Sequence, residues 1–165
     1  MSPARIDRII IRFAYQIYEN TRGSDQLVIF GINDRGHKLA VRLASALTDV
    51  CQTEISASPI CVEDASDNSA EPLPFVEGKK VVIIDDVMYS GKTMYYALRK
   101  ITKSESPDEI TLAALIDRGH RRYPLNLQYV GLYCPTKLQE HVRCSFSEQG
   151  NPDGVWLLSS SGTPS

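Results

Sequence analysis

VVIIDDVMYSGKT, at residues 81–93, contains a strand, a loop and a helix start in one short segment. Its four leading β-branched residues are typical of a strand that is buried on both faces. The strand leads into Asp85 and Asp86, and a helix is predicted to begin at Gly91 or Lys92. Backbone N–H groups at a helix start, together with the positive end of the helix dipole, bind anions. The segment therefore predicts a phosphate-binding loop between a strand and a helix.

The residue types in this loop suit a phosphate monoester. Gly91 permits close approach of the backbone, and the hydroxyl groups of Ser90 and Thr93 are hydrogen-bond donors. A nucleotide-binding P-loop is excluded, because that motif needs a glycine five positions before Gly91, where this chain has Asp86. The residues assigned to the phosphate are Tyr89, Ser90, Gly91, Lys92 and Thr93.

The two acids before the loop narrow the ligand further. Two carboxylates beside a phosphate would repel a bare polyanion, so Asp85 and Asp86 are expected to face neutral hydroxyl groups or a divalent cation. A ribose 5-phosphate meets both requirements, with its 2′- and 3′-hydroxyls on the acids. An isolated acidic pair is more often a simple turn, but the apolar run before it and Ser-Gly-Lys-Thr after it favour the ligand-binding interpretation.

The rest of the chain repeats the alternation of apolar strands with amphipathic helices. Apolar spacing predicts one helix within residues 1–20 and another around residues 39–47. Strands are predicted at 27–32, 80–86, 110–116 and 129–133, with weaker candidates within 53–62 and 155–158. These elements predict an α/β fold with a mainly parallel sheet flanked by helices. Ligands of such sheets bind beyond the carboxyl ends of the strands, so the polar loops there should meet in one cleft.

Composition fits one domain, which we assign to residues 1–158, followed by a disordered tail at 159–165. The 165 residues are 42% hydrophobic and 23% charged, which is typical of a globular protein. The net charge of −2 and the pI near 5.9 disfavour a protein that wraps nucleic acid. No segment is apolar enough for a membrane span, and the charged N-terminus is unlike a signal peptide. The four cysteines lack metal-binding spacing, so we expect free thiols and a cytoplasmic protein.

Residues 81–93 closely resemble the 5-phosphoribosyl-1-pyrophosphate (PRPP) signature of type I phosphoribosyltransferases. GINDRG at residues 31–36 resembles the pyrophosphate loop of that family, and LIDRGHR at 115–121 resembles a segment of its base-covering hood. With PT at 135–136, the order of these segments is similar to that of the bifunctional pyrimidine operon attenuator/uracil phosphoribosyltransferase family. The resemblance covers about residues 4–145 and implies a type I phosphoribosyltransferase-like fold with a small hood.

The resemblance also implies which residues contact the remainder of the substrate. Pyrophosphate is assigned to Asn33, Asp34, Arg35 and Gly36. The base is assigned to the hood, mainly residues 117–145, through Asp117, Arg118 and Gly119. A strained cis peptide is implied near residues 33–35.

The implied reaction joins PRPP to a base, most naturally a pyrimidine, and yields a nucleoside 5′-monophosphate and pyrophosphate. Arg35, Asp85 and Asp86 are the implied catalytic residues. Mg²⁺ is the implied cofactor; it would neutralise pyrophosphate together with Arg35, and the two acids would contact it only indirectly. The expected partners are therefore small molecules, namely PRPP and a nucleobase or nucleotide, and we also expect a homo-oligomer without membrane contact.

The segment expected to close over the substrate departs from the family pattern. Attenuator-type relatives carry a Tyr-Arg-Asp-Asp run there, and its nearest counterpart, CVED at residues 61–64, lacks both Tyr and Arg. Residues 63–77 contain five acidic residues and no Lys or Arg, and a mobile loop is expected over 63–74. Two functions therefore stay open. One is an active transferase; the other is a PRPP- or nucleotide-sensing regulator with weak or absent catalysis, for which RNA is a less favoured partner.

Overall fold

A computed structural model of the chain describes residues 1–21, 26–62, 72–103, 105–137, 140–146 and 153–159. The helices in this part of the chain are α1 (Pro3–Thr21), α2 (Asn33–Cys51) and α3 (Lys92–Thr102). The strands are β1 (Leu27–Ile32), β2 (Ala57–Ile60), β3 (Lys80–Met88), β4 (Glu109–Asp117), β5 (Tyr129–Tyr133), β6 (Glu140–Ser145) and β7 (Gly154–Ser159). None of these helices combines the length and the apolar character that crossing a bilayer requires.

Strands β1 to β5 form one parallel sheet in the order β2-β1-β3-β4-β5. Successive side chains of the central strand, β3, alternate between two hydrophobic clusters, as the period of two in a strand requires. Val82 and Ile84 pack with residues of α1 and α2, whereas Val81 and Ile83 pack with residues of α3. Helices therefore cover both faces of the sheet, which confirms the predicted α/β fold.

Helix α1 buries the isoleucines and Phe13 whose spacing predicted it. Helix α2 begins earlier than its apolar spacing indicated, because residues 33–36 form its first turn rather than a separate loop. Asn33 has a positive φ of 51° at this point, a conformation that asparagine adopts more readily than most residues. The described residues contain no cis peptide bond, so the one implied near residues 33–35 is wrong; the positive φ of Asn33 turns the chain there instead.

Strands β6 and β7 form a separate antiparallel ribbon. The weaker strand candidate at residues 155–158 is confirmed within β7, although it pairs with β6 rather than with the main sheet. Strand β6 was not predicted, because its sequence EHVRCS has no apolar run. One face of the ribbon contributes Cys144 and Val155 to the cluster under α1 and α2. Most of the predicted loop at 63–74 and of the predicted tail at 159–165 lies outside the described residues.

Candidate functional site

The three polar loops named from the sequence follow strands that end at the same edge of the sheet. β1, β3 and β4 are parallel neighbours, and Met88 at the end of β3 is in register with Asp117 at the end of β4. The first turn of α2 packs directly on β3, because a Cβ added to Gly36 would lie 3.0 Å from the Ile84 carbonyl oxygen and 3.5 Å from the Asp85 Cα. Only glycine permits this separation without a shift of one element. Gly36 thus brings the pyrophosphate loop beside the acidic pair.

Arg35 is the residue of this loop whose side chain meets the acids. Its Nε lies 3.1 Å from Oδ2 of Asp86, and the arginine side chain is 58% exposed whereas that of Asp86 is 8% exposed. Asp34 instead pairs with Lys38, one helical turn further along α2, at 3.0 Å. Asp34 and Arg35 are neighbours in sequence and were both assigned to pyrophosphate. In the first turn of α2, however, their side chains pair with different partners.

Asn33 makes two hydrogen bonds to the backbone of Val62. Its side-chain oxygen accepts from the Val62 N–H at 2.8 Å, and its side-chain nitrogen donates to the Val62 carbonyl at 3.3 Å. The asparagine amide therefore acts as a local strand partner for the chain just after β2. This contact engages the side chain of Asn33, so a role for Asn33 toward pyrophosphate would use its backbone.

The two acids are buried and differ in their surroundings. Asp85 accepts a hydrogen bond from the Asp86 N–H at 2.8 Å. Burial, and then the neighbouring charge of Asp86, raises the pKa of Asp85 well above its usual range, so the neutral carboxyl is favoured. Oδ2 of Asp86 is buried and accepts no hydrogen bond from the described residues, so its contact with Arg35 is an ion pair without hydrogen-bond alignment.

The phosphate loop has the predicted strand–loop–helix form. Helix α3 begins at Lys92, and Gly91 immediately before it has a φ of 83°, which favours glycine. The Ser90 hydroxyl accepts a hydrogen bond from the Lys92 N–H at 3.3 Å. The Lys92 ammonium group lies 5.6 Å from the centre of the Tyr96 ring. The helix start and its small residues are therefore in the predicted place, and the Lys92 side chain runs along α3.

Three main-chain hydrogen bonds join the hood to the end of β3 and to the phosphate loop that follows it. The N–H of Arg118 donates to the Met88 carbonyl at 2.9 Å. The N–H groups of Arg122 and Tyr123 both donate to the Ser90 carbonyl, at 2.9 and 3.2 Å. Residues of the predicted hood and of the predicted phosphate loop thus share one hydrogen-bonded backbone.

The side chains of Asp117 and Arg118 are used within the hood itself. Oδ1 of Asp117 accepts from the Gly119 N–H at 2.9 Å, and its Oδ2 pairs with Arg121 at 2.5 Å. Arg118 is 7% exposed and donates to the Thr136 hydroxyl at 2.7 Å and to the Glu140 carbonyl at 2.5 Å. Both side chains and the Gly119 N–H therefore have partners within the hood, so a contact with a base would use other groups, such as the Gly119 carbonyl.

Two neighbours of the site were not assigned a role from the sequence, although His120 lies in the quoted hood segment. The His120 ring lies 5.4 Å from the Tyr89 ring in an edge-on arrangement, and its Nε2 contacts the Thr136 carbonyl. The Cys144 thiol lies on β6; burial, followed by the charge of Asp86, raises the pKa of this thiol. The Pro-Thr pair was a usable signal for the contact of His120. A single cysteine in an unpredicted strand offered none.

The side chains at the site include few ligands for the implied Mg²⁺. Among the described residues no group of three or more His, Cys, Asp or Glu side chains could hold a metal ion. Asp85 and Asp86 are the adjacent carboxylates of the site, and Mg²⁺ commonly binds through one or two carboxylates, several waters and substrate oxygens. The described residues therefore fit an ion that arrives with its substrate, and they do not by themselves form a complete metal site.

Comparison with known proteins agrees with this geometry. The family model described as phosphoribosyl transferase domain matches residues 3–144. The bifunctional protein PyrR of Deinococcus radiodurans is 34% identical over 169 residues, which cover 96% of this chain and 92% of that protein. PyrR of Chloroflexus aurantiacus is 36% identical over 169 residues, with 96% and 93% covered.

Solved structures extend the likeness to the fold. The hypoxanthine phosphoribosyltransferase of Trypanosoma cruzi superposes with a TM-score of 0.72 at 22% identity, covering 82% of this chain and 80% of that one. A hypoxanthine-guanine phosphoribosyltransferase of Bacillus anthracis gives a TM-score of 0.68 at 17% identity, with 84% of both chains covered. At sequence identities this low, the likeness shows a shared fold and not a shared substrate. Together with the family match and the PyrR relatives, they show that the chain belongs to the type I phosphoribosyltransferase family.

Proposed function

We propose that this protein transfers the phosphoribosyl group of PRPP to a base, most naturally a pyrimidine, and releases pyrophosphate. The observation that carries the proposal is the meeting of Arg35 with Asp86, one loop away from the Gly91 helix start. One PRPP molecule could then contact all three groups: Arg35 through its pyrophosphate, the acids through its ribose hydroxyls, and the N–H groups of the helix start through its 5′-phosphate. The PyrR relatives support a pyrimidine base. We place this activity in the cytoplasm.

Each end of PRPP would be bound by a different chemistry. The guanidinium fork of Arg35 suits pyrophosphate oxygens. Asp85, in its neutral form, can both donate to and accept from a ribose hydroxyl, whereas the ionised Asp86 can only accept. The 5′-phosphate would lie at the start of α3, against the backbone of residues 89–93.

The chain lowers the barrier chiefly by holding the reactants and by balancing charge. Pyrophosphate leaves C1 of the ribose as a base nitrogen attacks, and Arg35 stabilises the negative charge that develops on the leaving group. The buried charge of Asp86 favours positive charge on the ribose ring. Mg²⁺, when bound with PRPP, adds charge neutralisation on the pyrophosphate. Holding the base in the hood keeps its nitrogen aligned with C1.

A second function is favoured by one feature of the sequence. Residues 63–77, the counterpart of the segment that closes over substrate in relatives, contain no Lys or Arg. A protein that binds PRPP but closes an acidic segment over it would act as a PRPP or nucleotide sensor with little turnover. The relatives named as bifunctional make a regulatory role reasonable, and the pI near 5.9 makes RNA a less favoured partner than a nucleotide. Assembly into a homo-oligomer belongs to both proposals.

Initial-rate assays separate the two functions. The protein is incubated with PRPP, Mg²⁺ and, one at a time, uracil, cytosine, hypoxanthine and guanine, and both nucleotide and pyrophosphate are quantified. Equal amounts of the two products with uracil support the transferase, and Arg35→Ala should abolish them. Calorimetric titration of PRPP completes the test. PRPP binding without turnover supports the sensor, and absence of PRPP binding at millimolar concentration contradicts both.

A further inference from the structure

The ion pair between Arg35 and Asp86 uses one particular edge of the arginine. The atom nearest to the carboxylate is Nε, at 3.1 Å, and not one of the two terminal nitrogens. A guanidinium group has five N–H donors, four of them on the terminal nitrogens. Because 58% of the arginine side chain is exposed, a ligand can reach those terminal donors while Nε stays beside Asp86.

Asp86 is well placed to fix the direction of this arginine. Its side chain is 8% exposed, and it lies on β3, the central strand of the sheet. The backbone of Arg35 is also constrained, because the adjacent Gly36 packs against β3 at a separation that no larger residue permits without a shift. Both members of the pair therefore stand on packed elements, although the arginine side chain itself is 58% exposed.

Asp86 should then affect an incoming pyrophosphate in two opposite ways. Its negative charge repels the anion through space, by an amount that solvent screening reduces at this partly exposed edge. Its hold on Nε reduces the number of conformations of Arg35 and so lowers the entropy lost when the terminal donors bind the anion. The two effects have opposite signs, which makes them separable by experiment.

We propose that Asp86 is a positioning residue for pyrophosphate, holding Nε of Arg35 so that the terminal nitrogens bind the pyrophosphate oxygens. This role rests on the proposed function and adds to the contact of Asp86 with ribose. A single carboxylate, that of Asp86, would then link the ribose end of the site to its pyrophosphate end.

The test is a double-mutant cycle in which calorimetry measures the binding of inorganic pyrophosphate in the absence of Mg²⁺. Pyrophosphate has no ribose, so contacts of Asp86 with ribose hydroxyls do not contribute, and omitting Mg²⁺ removes any contact through a metal. The four proteins are the wild type, Asp86→Asn, Arg35→Ala and the double variant. Asp49→Asn, on the exposed far end of α2, removes the same charge away from the site and serves as the matched control.

The expected result is a change of sign between backgrounds. Asp86→Asn should weaken pyrophosphate binding about tenfold when Arg35 is present. In the Arg35→Ala background the same change should leave binding equal or tighter, because only the repulsion is removed. Thermal unfolding of each variant confirms that the compared proteins are folded, and Asp86→Glu provides a second variant that keeps the charge if Asp86→Asn does not fold.

Two results would overturn the inference, and they are distinguishable. Tighter pyrophosphate binding by Asp86→Asn in both backgrounds would show that Asp86 acts only as a negative charge, and the proposed transferase function would stand. Failure of the wild type to bind pyrophosphate both without and with Mg²⁺ would overturn the positioning role together with the proposed function.

Discussion

The guanidinium carbon of Arg118 lies 4.3 Å from the centre of the Tyr89 ring, so the end of β4 stacks on the first residue of the phosphate loop. The same side chain donates to the Thr136 hydroxyl and to the Glu140 carbonyl. A buried arginine with these partners joins three segments that are distant in sequence. Arg118 thus holds the hood in place from within.

Arg118→Lys should destabilise the protein by about 2 kcal/mol, because lysine lacks the planar fork and leaves the Thr136 and Glu140 acceptors without their donor. Urea unfolding measures the change. Arg143→Lys, at an exposed position on β6, is the matched control and should change stability by less than about 0.5 kcal/mol. Equal stability of the two variants would contradict the role given to Arg118.

Gly91→Ala should weaken binding of ribose 5-phosphate by more than about tenfold, or about 1.4 kcal/mol. Gly91 has a φ of 83°, which strains any residue that has a Cβ, and that Cβ would also lie 3.3 Å from Met88 Cε and 3.4 Å from Tyr123 Cβ. Gly78→Ala carries a comparable strain at a φ of 67° with no atom within 4 Å of its Cβ, and it lies outside the loop. Calorimetry on both variants tests the loop: unchanged affinity in a folded Gly91→Ala protein would exclude this phosphate site.

Asp85→Asn should stabilise the ligand-free protein at neutral pH. A carboxyl whose pKa is raised in the folded state stabilises the fold fully below its unfolded pKa, about 3.9, and this contribution is lost as the pH rises through the raised value. Asparagine stays neutral at every pH and its side-chain oxygen can still accept from the Asp86 N–H. Melting temperatures across the pH range should therefore diverge in favour of the variant as pH increases. A difference that does not vary with pH would refute the raised pKa.

Uracil transfer should be slower than in relatives that carry the Tyr-Arg-Asp-Asp run, while PRPP binding persists. An acidic segment at residues 63–77 that closed over pyrophosphate would bring like charges together, whereas Arg35 and the start of α3 would bind independently of that segment. Because salt screens such repulsion, the deficit in kcat should shrink at higher ionic strength. Steady-state kinetics alongside calorimetry measures both. Rapid turnover at low salt would show that the acidic segment does not oppose catalysis.

The sequence was most informative where one segment contains a complete local structure. β3, the loop and the start of α3 were predictable because apolar run, acids and glycine follow one another without interruption. The sequence predicted that the loops of Arg35 and Asp86 meet at one edge of the sheet, but it did not predict that the two side chains pair. That pairing depends on the direction that each side chain takes in the first turn of α2. Strand β6 was not predicted because its half-buried residues alternate with exposed polar ones and form no apolar run. Cys144, which lies on that strand, was therefore missed.

The Ser90 carbonyl accepts N–H groups from both Arg122 and Tyr123, and this has a consequence for ligand size. The loop that would bind the 5′-phosphate and the hood that would bind the base cannot separate without breaking these bonds. The two ends of a nucleotide are then recognised at a fixed spacing. A site with this fixed spacing would distinguish a nucleoside monophosphate from a longer analogue by length, independently of contacts with the base.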